Sequence, residues 1–206
     1  MTSRTCAYCG IFSTGCTRDH VFPRSLYPDS HSNSRTPRLT VPACRLCNAS
    51  WEDDEPHFRN ILMITGQPNA AVRELWKYRA LPSFIEKDGR RRVSDVFNQM
   101  RAVEINGQSQ HLVYPGNDER VTRVLRKIVR GLAWHHLRMS VPESVVWADI
   151  LKYEVPSEFL DQMSTYHREP DIAEYRFQEC GYEGISSVWV ITLFESRQFI
   201  GIISEN

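Results

Sequence analysis

Two pairs of closely spaced cysteines near the start of the chain restrict its fold more than any other feature. Cys6 and Cys9 form one Cys-x-x-Cys pair, and Cys44 and Cys47 form the second after 34 intervening residues. Each pair can place two sulfurs on one ion, and two pairs complete the tetrahedral site that zinc prefers. A bound metal supplies folding free energy that a short segment cannot obtain from its own core. We therefore expect one structural zinc ion held by all four cysteines.

The composition favours metal ligands over disulfide bonds. No apolar run approaches the roughly 20 residues of a membrane-spanning helix, and the polar start Met1-Thr2-Ser3-Arg4 lacks the apolar core of a signal peptide. In a chain without an export signal, Cys-x-x-Cys pairs predict metal binding. The sequence thus predicts a cytoplasmic protein without membrane contact, in which Cys16 and Cys180 are ordinary small apolar residues.

A net charge of zero conceals a strong segregation of charge along the chain. Residues 67–140 carry 14 Lys and Arg against 7 Asp and Glu, whereas residues 141–206 carry 4 against 12. A basic segment beside a metal site suits a polyanion such as nucleic acid, because Lys and Arg neutralise its phosphates. Alternatively, the basic and acidic segments neutralise each other within the fold. The sequence alone leaves both interpretations open.

The pattern of apolar residues divides the chain into residues 1–66 and 67–206, and together they predict an α+β fold. The first region is rich in Cys, Ser, Thr and Pro. It predicts a hairpin near residues 15–22, an irregular loop over 28–37, and a helix that begins at Pro56 and ends at Gly66. His57 then lies in the first turn of that helix.

The middle of the chain reads as helical. Residues 69–79 have helical spacing, while Arg90-Arg91-Arg92 beside a turn at Asp88-Gly89 interrupts the pattern. Residues 119–139 predict a long amphipathic helix whose apolar stripe fits either core burial or a homodimer. Its other face carries basic residues, which are either solvated or lie along a nucleic-acid backbone: Arg120, Arg123, Lys127 and Arg130.

The last third predicts antiparallel strands with short helices. Strands are expected over 145–154 and 172–180, with a short helix at 156–162 between them. Two apolar runs, 187–194 and 198–203, predict a hairpin buried on both faces. No catalytic motif occurs here, so this region is expected to be a scaffold or a specificity region.

Candidate catalytic residues therefore come from residues 1–66. Phosphodiester hydrolysis needs a base that activates water and a divalent cation that holds the phosphate. His20 supplies the base, and the adjacent Asp19 supplies the first cation ligand. Asn48 directly follows a zinc-binding cysteine, which suits an orienting role. His57 can close the cation site opposite Asp19.

The order Cys6/Cys9, Asp19-His20, Cys44/Cys47 followed at once by Asn48, and then His57 resembles the HNH endonucleases. The resemblance covers about residues 1–66 and implies a ββα-metal core, with His20 on the first strand of a hairpin, Asn48 on the link to or start of the second, and His57 on the helix. It implies His20 as general base and one catalytic divalent cation, Mg²⁺ or another, held by Asp19 and His57. Asn48 would fix the loop that orients His20 or join the metal shell. The four cysteines would hold a structural zinc, and cleavage would leave a 5′-phosphate.

The chain departs from this pattern after Asn48. Trp51 stands where many members have a basic residue, and the acidic run Glu52, Asp53, Asp54 and Glu55 follows. We expect this run to be a solvated, helix-capping loop; the alternative is that one of its carboxylates binds the cation.

The combined pattern predicts a metal-dependent HNH-type endonuclease that hydrolyses nucleic acid, DNA in preference to RNA. Two alternatives are a zinc-stabilised nucleic-acid-binding module that does not cut, and a protein-interaction module, which would leave the basic helix unexplained.

Overall fold

The computed structural model describes residues 4–33, 36–86, 88–105, 108–115, 117–151, 153, 155–169, 171–182 and 184–205. It shows the α+β class that the sequence predicts, with antiparallel strands and the four cysteines clustered in the N-terminal region. The first elements are a short ribbon of two strands, β1 (Arg4–Thr5) and β2 (Phe12–Ser13).

A second strand pair carries Asp19 and His20. Strand β3 (Thr17–His20) pairs antiparallel with β4 (Thr40–Ala43), and the connection contains two short 3-10 turns, Arg24–Leu26 and Asp29–Asn33. The predicted local hairpin at 15–22 is therefore wrong, because β3 pairs with a strand that begins 20 residues after β3 ends. Asp19 lies opposite Val41, and His20 lies opposite Thr40. The irregular loop predicted for 28–37 falls within this connection, in which residues 34 and 35 lie outside the described residues.

Two helices follow β4. Helix α1 (Arg45–Ala49) contains Asn48, which therefore lies after the second strand and not on the link to it or at its start. The helix forms there because the second cysteine pair already bends into a turn, with Asn48 N–H donating to Cys44 O at 2.9 Å. Helix α2 (Asp54–Ile64) begins two residues before Pro56, since acidic residues favour a helix N-terminus, and it carries His57.

The middle region is only partly helical. Helix α3 (Ala70–Leu75) continues through a π-helical turn (Trp76–Ala80) into α4 (Leu81–Ile85), and α5 (Gly89–Gln99) follows. The predicted interruption at residues 90–92 is wrong, because these arginines lie inside α5. Strands β5 (Arg101–Ile105) and β6 (Gln108–Val113) form a hairpin where the sequence predicted helix. The intervening sequence Asn106-Gly107 is a strong hairpin signal that the helical prediction overlooks.

The long helix predicted for 119–139 is confirmed as α6 (Glu119–Leu137). Asp118 accepts a hydrogen bond from Arg120 N–H at 2.9 Å and so caps the first turn. The apolar stripe is buried within the chain's own core, which explains it without a homodimer; its central members are Val121, Val124, Leu125, Ile128, Val129 and Leu132.

A five-stranded antiparallel sheet closes the fold, in the order β7-β11-β10-β9-β8. Its strands are β7 (Val146–Ile150), β8 (Ser164–Arg168), β9 (Ala173–Tyr182), β10 (Ile185–Leu193) and β11 (Arg197–Ser204), with helix α7 (Ser157–Leu160) before β8. The predicted hairpin is confirmed as β10 and β11. Burial on both faces of β10 is also confirmed, since Trp189 and Ile191 join the main core while Val188 and Val190 pack with Met163 on the other face.

Helix α6 lies at the centre of the molecule. It packs against α2 and β4 on one side and against β7 and β11 on the other. One buried cluster therefore runs from Cys6 and Tyr8 to Phe199 and Ile203, across the sequence boundary at residue 66. Among the described residues, none of the helices combines the length and apolar character that crossing a bilayer requires.

The close contact of α6 with β11 can be tested at Gly201. A Cβ added there would lie 2.3 Å from Val129 Cγ2, whereas a Cβ at Gly181 on β9 would meet nothing within 4 Å. We expect Gly201→Ala to lower the free energy of unfolding in urea by about 1–3 kcal/mol through overpacking, and Gly181→Ala to change it by less than about 0.5 kcal/mol. Equal stability of the two variants would contradict the packing of α6 on the sheet.

Candidate functional site

The four cysteines predicted as zinc ligands lie together. Their sulfurs are all within 4.8 Å of one another, and Cys9 Sγ is 3.9 Å from Cys44 Sγ. Zinc–sulfur bonds of about 2.3 Å in a tetrahedral site place the sulfurs roughly 3.8 Å apart. The spacing and the all-sulfur donor set therefore fit zinc. In the described part of the chain, this is the one group of three or more His, Cys, Asp or Glu side chains close enough to share an ion.

The surroundings of Cys6 stabilise its thiolate. Burial by itself raises the pKa of the Cys6 thiol, but hydrogen bonds from the backbone N–H groups of Cys44, Cys9 and Tyr8 outweigh burial and lower the pKa to about 7. Gly10 adopts φ +72°, which glycine tolerates, and its N–H donates to Cys6 O at 3.0 Å. The thiolate is the form that binds zinc.

The cysteine cluster is anchored to the end of α6. The buried guanidinium of Arg130 donates to Tyr8 O and, at 2.8 Å, to Val141 O. Ser140 Oγ donates to Cys6 O at 3.0 Å. The first cysteine pair is thus fixed against residues that come more than a hundred positions later in the chain.

Asp19 is buried between the first cysteine pair and α6. Its Oδ2 accepts a hydrogen bond from Tyr8 Oη at 2.6 Å, and Tyr8 lies inside that Cys-x-x-Cys pair. Burial raises the pKa of Tyr8 and the charge of Asp19 raises it further, so the hydroxyl keeps its proton and remains a donor. Lys127 Nζ lies 3.1 Å from the same carboxylate.

Lys127 is the centre of the site, and sequence reasoning missed its role. Its side chain is fully buried, and Nζ donates to the Asp19 carboxylate, to His20 O at 2.9 Å and to the Glu55 carboxylate. All three ammonium protons therefore have oxygen partners. The expectation that α6 presents a solvated or nucleic-acid-binding basic face is wrong for Lys127 and Arg130, which are both buried.

The four acidic residues after Trp51 differ in burial. Glu52 and Asp53 are exposed, as predicted, but Asp54 is buried and Glu55 is half-buried, so the prediction of a solvated loop is wrong for these two. Asp54 Oδ2 accepts from Arg123 Nη1 at 2.6 Å. Burial raises the pKa of Glu55, and its ion pair with Lys127 opposes that shift. Acidic residues of segment 1–66 therefore neutralise Arg123 and Lys127 on the basic face of α6. The acidic segment 141–206 contributes Glu143, which pairs with Arg130.

A cleft of about 390 Å³ opens beside Asp19. We call it the Asp19 cleft. Asn48 lines it, and its Nδ2 donates to Thr17 Oγ1 at 2.8 Å, which ties α1 to β3. The structure therefore brings Asp19 and Asn48 to one cavity, together with Glu55. The lining residues with polar side chains are Thr17, Asp19, Ser25, Arg45, Asn48, Trp51, Glu52 and Glu55.

His20 is the last residue of β3 and is half-buried. Burial lowers the pKa of its imidazole, and the nearby positive charges of Arg38, Arg24 and Lys127 lower it further, against the opposing effect of Asp19. The ring is therefore neutral at neutral pH. Its Nδ1 is buried and has no hydrogen-bond partner among the described residues.

His57 lies apart from the other predicted site residues. It lines a different cavity, of about 400 Å³, which has only Pro56 in common with the lining of the Asp19 cleft. His57 Nε2 donates to Asp118 Oδ2 at 2.7 Å, and Tyr114 Oη donates to the same carboxylate. Burial alone would raise the pKa of Asp118, but these hydrogen bonds hold it well below its usual range. In this arrangement Asp19 and His57, the expected cation ligands, do not share a cavity.

Comparison of the chain with protein-family models, with curated proteins and with solved structures finds no match.

Proposed function

We propose that this protein is a metal-dependent nuclease that hydrolyses phosphodiester bonds of nucleic acid, in the manner of the HNH endonucleases that residues 1–66 resemble. The observation that carries the proposal is that Asp19 and Asn48 line one cleft, with His20 next to Asp19 on β3. The four-cysteine cluster fixes the chain segments that carry Asp19 and Asn48. Tyr8, inside one cysteine pair, holds Asp19. Asn48 directly follows the other pair.

The oxygen donors of the Asp19 cleft fit a hard divalent cation such as Mg²⁺, which prefers carboxylate and carbonyl ligands. Asp19 and Glu55 contribute two negative charges, and Lys127 offsets one of them. The side-chain carbonyl of Asn48 is a further donor, because its amide nitrogen is engaged by Thr17. Asp19, Asn48 and Glu55 are therefore the ligands we propose, in place of the expected pair Asp19 and His57.

Such a cation, when bound, would hold a phosphate and stabilise charge on the leaving oxygen. His20 would act as the general base. Because its pKa is lowered, the imidazole is unprotonated at neutral pH and can accept a proton from water. Lys127 would keep the base in place, since it holds the backbone carbonyl of His20 and the side chain of Asp19 at once.

The decisive experiment compares the wild type with His20→Ala. We expect the wild type to nick plasmid DNA with Mg²⁺ or Mn²⁺, and the variant to be slower by about 10²- to 10⁴-fold, the usual contribution of a general base. Single- and double-stranded DNA and RNA substrates would define the preference. Zinc content and thermal unfolding would verify that His20→Ala remains folded.

Neither His20 nor His135 lines the Asp19 cleft. His20 directly follows Asp19 on β3 and its carbonyl is held by Lys127, whereas the ring of His135 contacts that of His136 in the last turn of α6. His135→Ala is therefore the matched control. It should cut at the wild-type rate. A wild type that cuts no nucleic acid with any divalent cation, or a His20→Ala variant that cuts equally fast, would contradict the nuclease proposal.

One observation favours a second function, a nucleic-acid-binding module that does not cut. The Lys127 ammonium already pairs with both Asp19 and Glu55, so these carboxylates are neutralised in part without a divalent cation. Binding of nucleic acid by the wild type without cleavage, under every divalent cation tested, would support this alternative.

A further inference from the structure

A second cavity adjoins the Asp19 cleft and is lined by four arginines. It measures about 520 Å³, and we call it the arginine cavity; its basic lining residues are Arg24, Arg38, Arg59 and Arg79. We propose that it binds backbone phosphates of the nucleic-acid strand whose scissile phosphate lies in the Asp19 cleft. This inference rests on the proposed function and adds the path of the substrate.

The charge of the arginine cavity favours an anion. Its two acidic lining residues are Asp29 and Glu55, and Glu55 is already paired with Lys127. Asp29 pairs with Arg79 at 2.5 Å, but both side chains are more than half exposed, so that ion pair is weak and open to exchange. Four guanidinium groups against two carboxylates leave an excess of positive charge.

The arginines are held in different ways. The guanidinium of Arg38 stacks 4.3 Å from the ring centre of Tyr27, and that of Arg59 donates to Asn60 Oδ1 at 2.8 Å. Arg24 and Arg79 are exposed at the rim. The cavity therefore combines two arginine side chains held by neighbouring residues with two exposed ones that can move toward a bound ligand. Guanidinium groups suit phosphate because their N–H groups can bind two of its oxygens at once.

Ser25 and Glu55 line both the arginine cavity and the Asp19 cleft, so the two are neighbours that share a wall. Ser25 Oγ is buried and has no hydrogen-bond partner within the described ranges. A phosphate that passes from one cavity to the other would give this hydroxyl an acceptor. The positive charges of Arg24 and Arg38, which line the arginine cavity, also lower the pKa of His20.

A nucleic-acid strand is the ligand class that meets all these features. It presents one phosphate after another along its length, so one can occupy the Asp19 cleft while a neighbour binds the arginine cavity. Affinity that depends on phosphate contacts falls as the salt concentration rises. The logarithm of the binding constant changes with the logarithm of the salt concentration by about −0.9 per neutralised phosphate for duplex DNA and about −0.7 for single strands.

The test measures binding without cleavage, in the His20→Ala background and without added divalent cation. Fluorescent single- and double-stranded DNA are titrated with this protein and with the same protein carrying Arg24→Ala and Arg79→Ala. We expect the two substitutions to weaken binding about 10- to 100-fold and to reduce the magnitude of the salt slope by about 1–2. The control carries Arg91→Ala and Arg101→Ala, which remove the same charge from exposed positions outside both cavities; its affinity should change less than about 3-fold.

Equal loss of affinity in both double variants, or no loss in either, would overturn the arginine cavity as the binding site. Competition by poly-glutamate as effective as that by DNA of equal charge would overturn nucleic acid as the ligand class.

Nicking assays with His20 intact separate this inference from the nuclease proposal. If the wild type cuts and the Arg24/Arg79 variant binds and cuts normally, the inference alone fails. If Arg24 and Arg79 are needed for binding but nothing is cut, the nuclease proposal alone fails.

Discussion

Cys44→Ser is expected to abolish tight zinc binding and to unfold the N-terminal region. A structural zinc site contributes an apparent binding free energy of about 10–16 kcal/mol at pH 7, which is comparable to the entire stability of a typical domain, about 5–15 kcal/mol. Cys44 links β4 to α1, and its neighbour Ala43 is part of the core that α6 shares. Loss of the metal should therefore loosen the core as well as the cysteine cluster.

Metal analysis of the wild type should give one zinc per chain, and the Cys44→Ser variant should retain little. Near-ultraviolet circular dichroism and thermal unfolding, with and without a chelator, would report the loss of packed structure. Cys16→Ser is the matched control, because Cys16 lies outside the cluster and its Sγ donates to Arg4 O, a bond that serine can also make. A zinc-free wild type that remains fully folded would refute the structural role of the metal.

Lys127→Met should destabilise the protein by about 3–5 kcal/mol, the usual cost of leaving buried charges without their partner. Methionine has nearly the length of lysine but no charge, so the carboxylates of Asp19 and Glu55 would lose their shared counter-ion and His20 O would lose a donor. Urea unfolding would give the change in free energy.

Two further variants make the Lys127 experiment specific. Arg120→Met removes a charge from a partly exposed position of the same helix, where the guanidinium lies 3.5 Å from the Asp118 carboxylate, and should cost less than about 1 kcal/mol. Adding Glu55→Gln to Lys127→Met should restore part of the stability, because one uncompensated carboxylate is removed, and the double-mutant cycle would give the coupling. A Lys127→Met variant as stable as Arg120→Met would show that the buried ion pairs are not formed.

Local sequence patterns predicted the parts of this fold that depend on neighbouring residues. The cysteine spacing predicted a cluster that fits zinc, and the apolar periodicity predicted α6. The near-continuous apolar run at 188–193, broken only by Thr192, predicted a strand buried on both faces. In each case the sequence signal lies within a few residues, as in each Cys-x-x-Cys pair, or in the repeated pattern of one element.

Long-range pairing decided the parts that the sequence did not reveal. Lys127 occurs at the same helical spacing as the partly buried Arg120 and Arg123. Nothing near it in the chain shows that Asp19 and Glu55 will meet it. The orientation of His57 likewise depends on Asp118, 61 positions away. The partners of Lys127 and His57 could therefore not be predicted from the residues around them in the sequence.

The position of Lys127 in the chain also fixes when the Asp19 cleft can form during synthesis. Asp19 precedes Lys127 by 108 residues and Glu55 precedes it by 72. The ribosome therefore synthesises Asp19, His20 and Glu55 well before it makes the ammonium that joins them. Assembly of the cleft is delayed until α6 has emerged and docked, so an incompletely translated chain lacks the buried charge balance of the finished protein.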